Sequence, residues 1–599
     1  MGDERPSVAS DVSVLATGVV FVVGLMVLGV RLKSLQIDGA AGYSYLRDRQ
    51  AERRVQTAGA RGRILDRWQR PLAENRRARS VVVHPAYFQK KTWAATTLAI
   101  SNAVVAAAQR LGLPFLLSGG AVRRHVNQRL AMPLTVWSDV DDATVAKLCE
   151  RADEFAGFSC VETLERVYPH GALAAHALGY VGRGRGSVEA GDRRFSFYLD
   201  ELRGRDGLEG FYDAYLRGVP GERRMLVDAR GFAIREWTVV EARRGPDLVL
   251  TLDLDVQRTV ERELAGLRGA CVVMDSRNGD VLAMASAPSF DLNEFVPVLS
   301  QNLYDRLAAD REHPLLNRAS GGSYAPGSTF KPVTALAALR TGLPDEPYSC
   351  TGAFELGSWR LRCTARWGHG ELTLAEAMKK SCNPYFSHLA MKAGTNALVA
   401  AARDLGLGAK TGIDLLVDVA GVVPDGAWKQ RQYGEKWYAG DLAQMGIGQG
   451  MLLVSPLQMA RVAGALGTGM LARPRLNAGE RTELLPVPFS RIALEAVRDG
   501  MRRVTGEGGT GWRGADGVAA EIIGKTGTAE IGQGRTRRKN AWFIAYAHGV
   551  ARRDRVSGGT GPATDVAVAL VIENGESGGG TAAPRVRNVL AEIYGEAVR

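Results

Sequence analysis

The first apolar run of the chain, Val12 to Val30, holds 19 residues without a charge between Asp11 and Arg31. As a helix rising about 1.5 Å per residue, it matches the thickness of a bilayer's hydrocarbon core. A cleaved signal peptide and a buried core helix share that pattern. A signal peptide wants a positive leader and a small-residue cleavage site, whereas this leader sets Asp3 and Glu4 against Arg5 alone and no such site follows. The run therefore predicts an uncleaved single-pass anchor over residues 12–31 behind a short cytoplasmic tail over 1–11. Arg31, Lys33, Arg47 and Arg49 follow it. Read literally, that positive charge would keep the rest of the chain in the cytoplasm, but the rule loses force ahead of a long domain.

From the anchor to about Pro246, short β-like runs such as Ser80 to Val83 alternate with Arg- and Gly-rich punctuation. Trp93 to Leu111 is apolar at helical spacing and predicts one helix within a mixed domain over 32–246. After Gly245-Pro246 the pattern changes. Leu248 to Leu252 predicts a strand and Val256 to Leu267 an amphipathic helix. Ala270 to Asp275 and Val281 to Ala285 flank Ser276-Arg277-Asn278-Gly279 and predict a β-hairpin. Ile522 to Thr526, Ala541 to Ala547 and Asp565 to Glu573 predict three more strands, and helical stretches fill much of the interval from Thr329 to Leu466. Strands at both ends with helices between them predict one sheet assembled from distant pieces, an α+β domain over 247–599.

Across 599 residues, 46% apolar and 23% charged positions are enough for more than one packed domain. The net charge of +12 suits an anionic polymer, a membrane face or nucleic acid alike. No basic block is interleaved with aromatics and no zinc-finger or RNP pattern occurs, which argues against nucleic acid as a partner.

Candidate chemistry begins at Tyr324-Ala-Pro-Gly-Ser-Thr-Phe-Lys331, a turn followed by a helix. Three residues separate Ser328 from Lys331, so the amine falls on the hydroxyl's face of the helix, within reach of it. A lysine removes a hydroxyl proton once burial or a neighbouring cation has lowered its pKa. Alone the S-x-x-K spacing is common. Ser381-Cys-Asn383 lies 53 residues on, after a predicted helix, and Lys525-Thr526-Gly527-Thr528 lies 144 residues beyond that, on a predicted strand. Helix capping and a strand end are the bland readings of the two. In this order the three form the trio of penicillin-binding proteins and class A β-lactamases. Ser328 is then the candidate nucleophile and Lys331 the base. Ser381 relays a proton, Asn383 holds the acyl donor's backbone, and Lys525 lowers the pKa of Lys331 by like-charge proximity. Lys525 and Thr526 suit a substrate carboxylate, with Gly527 and Thr528 alongside, and the N–H groups of Ser328 and Thr528 are the candidate oxyanion hole.

Further segments make the likeness specific: Arg61-Gly-Arg-Ile-Leu-Asp-Arg67, Tyr168-Pro-His-Gly171 with His176 and Gly179-Tyr-Val-Gly182, Gly207-Leu-Glu-Gly210 with Tyr212-Asp213, Asn317-Arg-Ala319, and Trp437-Tyr-Ala-Gly-Asp441 before Gly446-Ile-Gly-Gln-Gly450. With these the chain resembles the class B penicillin-binding proteins, monofunctional D,D-transpeptidases, and among them the elongation type. The resemblance implies a serine β-lactamase-like transpeptidase domain outside the inner membrane, with residues 32 onward periplasmic, on an N-terminal pedestal or dimerisation domain. It implies peptidoglycan stem peptides as substrates, β-lactams as inhibitors, and a RodA-type polymerase with an MreC-like scaffold as partners. Leu292 stands where the family often has proline. Gly191-Asp-Arg-Arg-Phe195 superficially resembles a glycosyltransferase motif but lacks its leading Glu and following His.

Cys350, Cys363, His369 and Cys382 fall within 33 residues. Three thiolates and an imidazole suit a closed tetrahedral Zn²⁺ with no open position. A Cys350–Cys363 disulfide, or free thiols beside a hydrogen-bonded His369, fit the spacing as well. Elongation-type relatives carry a zinc-binding insertion between the same two motifs, so the resemblance implies structural zinc here. Cys149 and Cys160 read as core residues that could also pair, and Cys271 as a strand core residue.

Rival functions have sequence signatures of their own. A β-lactamase would not need a pedestal of about 200 residues, and no class A E-x-x-L-N deacylation motif is found. A β-lactam sensor would be expected to carry further spans and a signalling domain. A catalytically minor scaffold that regulates a cell-wall polymerase would be expected to have lost Ser328, Lys331 or Lys525.

Overall fold

The structure, a computed structural model, describes residues 8–38, 51–115, 117–184, 197–198, 201–296, 299–343, 345–532, 538–551 and 563–596. The motif-like segment 191–195 and the basic residues Arg47 and Arg49 lie outside them. The predicted anchor is part of one helix, Val8–Lys33, whose side chains from Val12 to Leu32 are exposed along the whole length. An apolar helix that buries nothing against protein needs another apolar medium.

In the N-terminal region the long strand Pro71–Val83 pairs antiparallel with Phe158–Val167 and with Leu134–Trp137. The helix Trp93–Leu111 forms over its predicted residues. Thr92 caps its start by accepting from the Ala95 N–H, and Gly112, at φ 71°, ends it in the left-handed region that glycine tolerates. Ile100, Val104, Ala107 and Leu111 recur at helical spacing and pack on Val81 and Val83 of the sheet. A second sheet joins Glu52–Thr57 to Gly221–Val227 and Ala233–Val240.

A buried charge cluster sits beneath the long strand. Glu209 accepts from Arg61 Nε at 2.5 Å and Arg166 Nε at 2.8 Å, all three side chains being almost fully buried. Arg61 also pairs with Asp213 at 2.7 Å, and Tyr168 OH donates to Glu209. Arg61, Tyr168, Glu209 and Asp213 come from three separate sequence segments, and one buried cluster joins all four residues.

The C-terminal sheet has the order Val281–Ala287, Gly269–Asp275, Ala563–Ile572, Arg538–Val550, Glu521–Ile531, every neighbour antiparallel. The hairpin forms around the predicted turn, and the three late strands complete a single sheet. Alternate side chains feed two cores. Cys271 and Val273 face the helices Leu254–Leu264 and Ala583–Tyr594, while Ala270 and Val272 face the packed helices that include Pro456–Thr468. Both faces being covered, its strands are almost uniformly apolar rather than alternating.

Several expectations need correction. Of Leu248 to Leu252 only Leu248–Val249 is a strand, and it pairs in parallel with Ile64–Leu65 of the N-terminal region, not with the large sheet. The amphipathic helix runs Leu254–Leu264, because Asp253 caps it two residues early and Gly266 follows in the left-handed region. The mainly helical interval is interrupted by four short strands between Tyr348 and Leu372. Leu292 is buried in a short 3₁₀ turn, Leu292–Phe295. Cys149 is exposed and Cys160 half-buried, so neither is a fully buried core residue, and all six cysteines are free.

Candidate active site

Gly327–Phe330 is a 3₁₀ turn leading into the α-helix Lys331–Arg340, with Pro332 in the first turn where no N–H is needed. Ser328 lines a cleft of about 1320 Å³ together with Ser381, Asn383, Thr526, Gly527 and Thr528. The three distant motifs therefore meet in one place. The strand Glu521–Ile531 packs its backbone on the turn that carries Ser328. A Cβ at Gly527 would lie 2.8 Å from Thr329 Cγ2, and one at Gly327, whose φ is +56°, would lie 3.0 Å from Thr528 O. Neither position has room for a side chain.

Lys331 is fully buried under the cleft. Its Nζ donates to Ser381 O at 2.6 Å, Ser381 Oγ at 3.1 Å and Asn383 Oδ1 at 2.8 Å. Those three bonds use all the protons of an ammonium, and the Ser328 hydroxyl is not among the partners, contrary to the simple i, i+3 expectation. The spacing spans a junction between 3₁₀ and α geometry, not one continuous α-helix. Ser381 also reaches over in an unusual backbone state, φ +54°, in the left-handed region costly for a residue with a Cβ.

Lys525, equally buried, donates to the same Ser381 Oγ at 2.9 Å and to Thr526 O at 2.9 Å. Burial holds Lys331 down to about 7, against the opposing pull of the Cys382 and Cys363 sulfurs. Burial also pushes Lys525 down, and the Lys331 charge adds to the effect. Two ammoniums around one hydroxyl in a water-poor pocket are unfavourable, so burial and like charge together favour a neutral amine here. A neutral lysine has a lone pair to offer, and Ser381 Oγ connects the two amines.

Cys350, Cys363, His369 and Cys382 converge as the spacing suggested, their ligand atoms all within 4.8 Å of one another. Cys363 Sγ lies 3.4 Å from His369 Nδ1 and 4.0 Å from Cys382 Sγ, and Cys350 Sγ lies 3.9 Å from His369 Nδ1. Tetrahedral ligands at zinc–sulfur bond lengths stand about 3.8 Å apart, so the cluster has the dimensions of a metal cage. The Cys382 hydrogen bond, helped by nearby backbone N–H groups and the His369 charge, outweighs burial and lowers the Cys363 pKa, which favours the thiolate form that ligates metals. This cluster can hold a metal ion. Cys382 is also the residue between Ser381 and Asn383, so the cage and the lysine pocket share a loop.

The penicillin binding protein transpeptidase domain family matches residues 269–591, and the penicillin-binding protein dimerisation domain family matches residues 56–250. The peptidoglycan D,D-transpeptidase MrdA of Salmonella typhimurium is 33% identical over 490 residues, 77% of this chain and 78% of the relative. The chain belongs to the class B penicillin-binding proteins, the peptidoglycan D,D-transpeptidases. As a member of that family it resembles the penicillin-binding protein PBP2 of Helicobacter pylori solved in complex with MreC, at TM-score 0.74 and 27% identity over 90% of this chain and 98% of that one. It also resembles a chain from a peptidoglycan synthase complex that coordinates polymerization and crosslinking, at TM-score 0.70 and 29% identity over 97% and 98%.

In this penicillin-binding protein several supporting residues escaped the motif reading. Glu573 accepts from Arg318 Nε at 2.8 Å and Tyr324 OH at 2.9 Å and pairs with Arg268 at 2.6 Å. Trp542 Nε1 donates to Ala325 O at 3.1 Å. These bonds brace the segment that ends in Ser328. Arg318 and Tyr324 belong to recognisable motifs, whereas Glu573 closes a strand about 250 residues away and has no local signal. Thr510 Oγ1 lies 2.9 Å from Thr526 Oγ1 in the same cleft, again joined only by the fold.

Proposed function

We propose that Ser328 is the acyl-forming nucleophile of a peptidoglycan D,D-transpeptidase that serves cell elongation and is inactivated by β-lactams. The observation that carries this reading is the single Ser381 hydroxyl bonded to both buried lysines at the floor of the cleft that Ser328 lines. Lys331, neutral in part near pH 7, takes the Ser328 proton as Oγ bonds to the carbonyl carbon of the penultimate D-Ala. The C–N bond to the terminal D-Ala then breaks, and Ser381 passes the proton to the departing amine. An amine from a neighbouring strand reverses these steps on the acyl-enzyme, releases Ser328 and forms the cross-link. Asn383 holds the donor backbone, Lys525, Thr526 and Gly527 receive its carboxylate end, and the N–H groups of Ser328 and Thr528 stabilise the oxyanion, each donor contributing about 3 kcal/mol to the transition state.

The helix Val8–Lys33 anchors the chain once in the inner membrane, residues 1–11 in the cytoplasm and the pedestal over 32–246 and catalytic domain over 247–599 in the periplasm. An MreC-like scaffold and a cell-wall polymerase of the expected RodA type are its partners; likeness to the PBP2–MreC complex supports the first, and likeness to the peptidoglycan synthase complex supports a polymerase. Incubating the full chain in detergent with a labelled penicillin and mapping the adduct by peptide mass spectrometry tests the reading. One slowly released adduct per chain on Ser328 is the expected result. A folded protein that takes up no label would favour a regulatory scaffold, and rapid hydrolysis of the penicillin a β-lactamase.

Structural zinc in the Cys350–Cys363–His369–Cys382 cage preorganises this site. Three thiolates and an imidazole fill a tetrahedron, so zinc when bound supplies a rigid cross-link and no open coordination position. Protein purified without chelator should contain about one zinc per chain, Cys363→Ser should lose most of it, and the rate of penicillin acylation should fall by about tenfold or more. Metal analysis finding no zinc in the wild type would remove this assignment.

A further inference from the structure

Between the first two cysteines of the cage lies a β-hairpin, Ala353–Leu356 paired with Trp359–Arg362. Its base is closed twice, by convergence of Cys350 and Cys363 on the cage and by the Cys363 N–H donating to Gly352 O at 2.9 Å. Successive residues of the second strand point to opposite faces. Leu361 packs on the large core, while Arg360 and Arg362 are exposed. Both arginines line the same cleft as Ser328, beside Trp359.

The two arginines are not equivalent. Arg360 is paired across the hairpin with Glu355 at 3.3 Å. Arg362 has no carboxylate partner among the described residues, and its own carbonyl accepts from Asn383 Nδ2 at 3.3 Å. Its backbone is thus fastened to a side chain that bonds Lys331, and its guanidinium is left at the cleft. Other cations in the cleft are differently placed: Lys380 follows the helix Leu374–Lys379 directly before Ser381, outside the hairpin. Lys539 faces Glu530 across the strand pair, and Arg513 lies over the Trp512 ring.

We propose that Arg362 is a specificity residue for the peptide that enters this cleft, binding a free carboxylate beside the acceptor amine. This rests on the transpeptidase reading above and names the substrate chemistry of that same site. A guanidinium presents paired N–H donors in a fixed fork that matches a carboxylate, and a rigid hairpin holds the fork at a set distance from the reacting serine. An amidated carboxyl group offers one acceptor, no charge and a pair of misplaced donors, so the amide is rejected. A metal cage at the hairpin's base, rather than deep in the domain, suits this role because it fixes a recognition element that is too small to have a core of its own.

The test compares acyl transfer by the full chain in detergent from one D-Ala-D-Ala donor peptide to two synthetic acceptors, identical except that the carboxylate beside the amine is free or amidated. The wild type should favour the free acid by about tenfold or more. In Arg362→Gln the ratio should fall to about one, and Arg362→Lys, which keeps the charge and loses the fork, should lie between. A purely structural role would lower both acceptors alike and leave the ratio unmoved. An unchanged ratio in Arg362→Gln, or no preference in a wild type that penicillin labels, would overturn the proposal alone. A folded wild type that neither takes up penicillin nor transfers to either acceptor would overturn the transpeptidase reading instead.

Discussion

Ser328→Ala should abolish acyl-enzyme formation and lower cross-linking on the order of 10⁶-fold, and Lys331→Met should slow acylation about 10³- to 10⁴-fold. The two effects differ in size because the serine forms the bond, while the lysine moves its proton and a weak route through water survives without it. Lys331 also fixes the direction of the pH dependence. Its amine is a base only when neutral, and burial brings its pKa to about 7. Acylation should therefore rise with pH through that value and level off above it, with about a hundredfold loss at pH 5, where about 1% of the amine is neutral. Stopped-flow acylation by a chromogenic penicillin between pH 5 and 9 measures this directly. A flat profile would exclude Lys331 as the base, and undiminished labelling of Ser328→Ala would exclude Ser328 as the nucleophile. Burial and the Lys331 charge also lower Lys525, and the Ser381 hydroxyl bonds to both amines. Ser381→Ala removes the hydroxyl that joins the amines and breaks this communication without touching either lysine.

Glu209→Ala should cost about 3–5 kcal/mol, the largest stability loss predicted for this chain. The carboxylate is fully buried and accepts from two arginines that are themselves buried, Arg61 and Arg166. Taking it away strands two guanidinium charges in the interior, although Arg61 keeps Asp213 and Arg166 keeps the Gly62 carbonyl. The urea midpoint for the N-terminal region should fall accordingly, and Glu209→Gln, which keeps the shape and one acceptor but not the charge, should recover only part of the loss. A midpoint within about 0.5 kcal/mol of wild type would mean that water reaches the cluster. Because Arg61, Arg166, Glu209 and Asp213 join segments about 150 residues apart, loosening them should also weaken the seat of the pedestal while leaving the distances at Ser328 intact.

Much of this protein was legible in its residues. The helix Trp93–Leu111 needed only apolar spacing and a terminal Gly112, which local forces decide. The hairpin and the three late strands were visible because long apolar runs bounded by turn residues have few other ways to be buried. The candidate nucleophile, its lysine and the two distant motifs could be named because each has a local spelling, and the four residues of the candidate cage because their residue types are rare. The sequence misled where a partner chosen by the fold outweighed local preference. Leu248–Val249 left the large sheet to pair with Ile64–Leu65. Lys331, placed by spacing beside Ser328, is held instead by the carbonyl and hydroxyl of Ser381, a residue whose left-handed backbone no spacing rule foretells. Glu573 has no motif at all and acts only because the end of one strand meets Arg318 and Tyr324. By itself, then, the sequence determined which groups can do chemistry and which segments must be helix or strand, since these depend on residue type and periodicity. Only the tertiary structure decided who bonds whom and that both lysines have lowered pKa values, because hydrogen-bond partners and desolvation are properties of residues far apart in the chain and close in space.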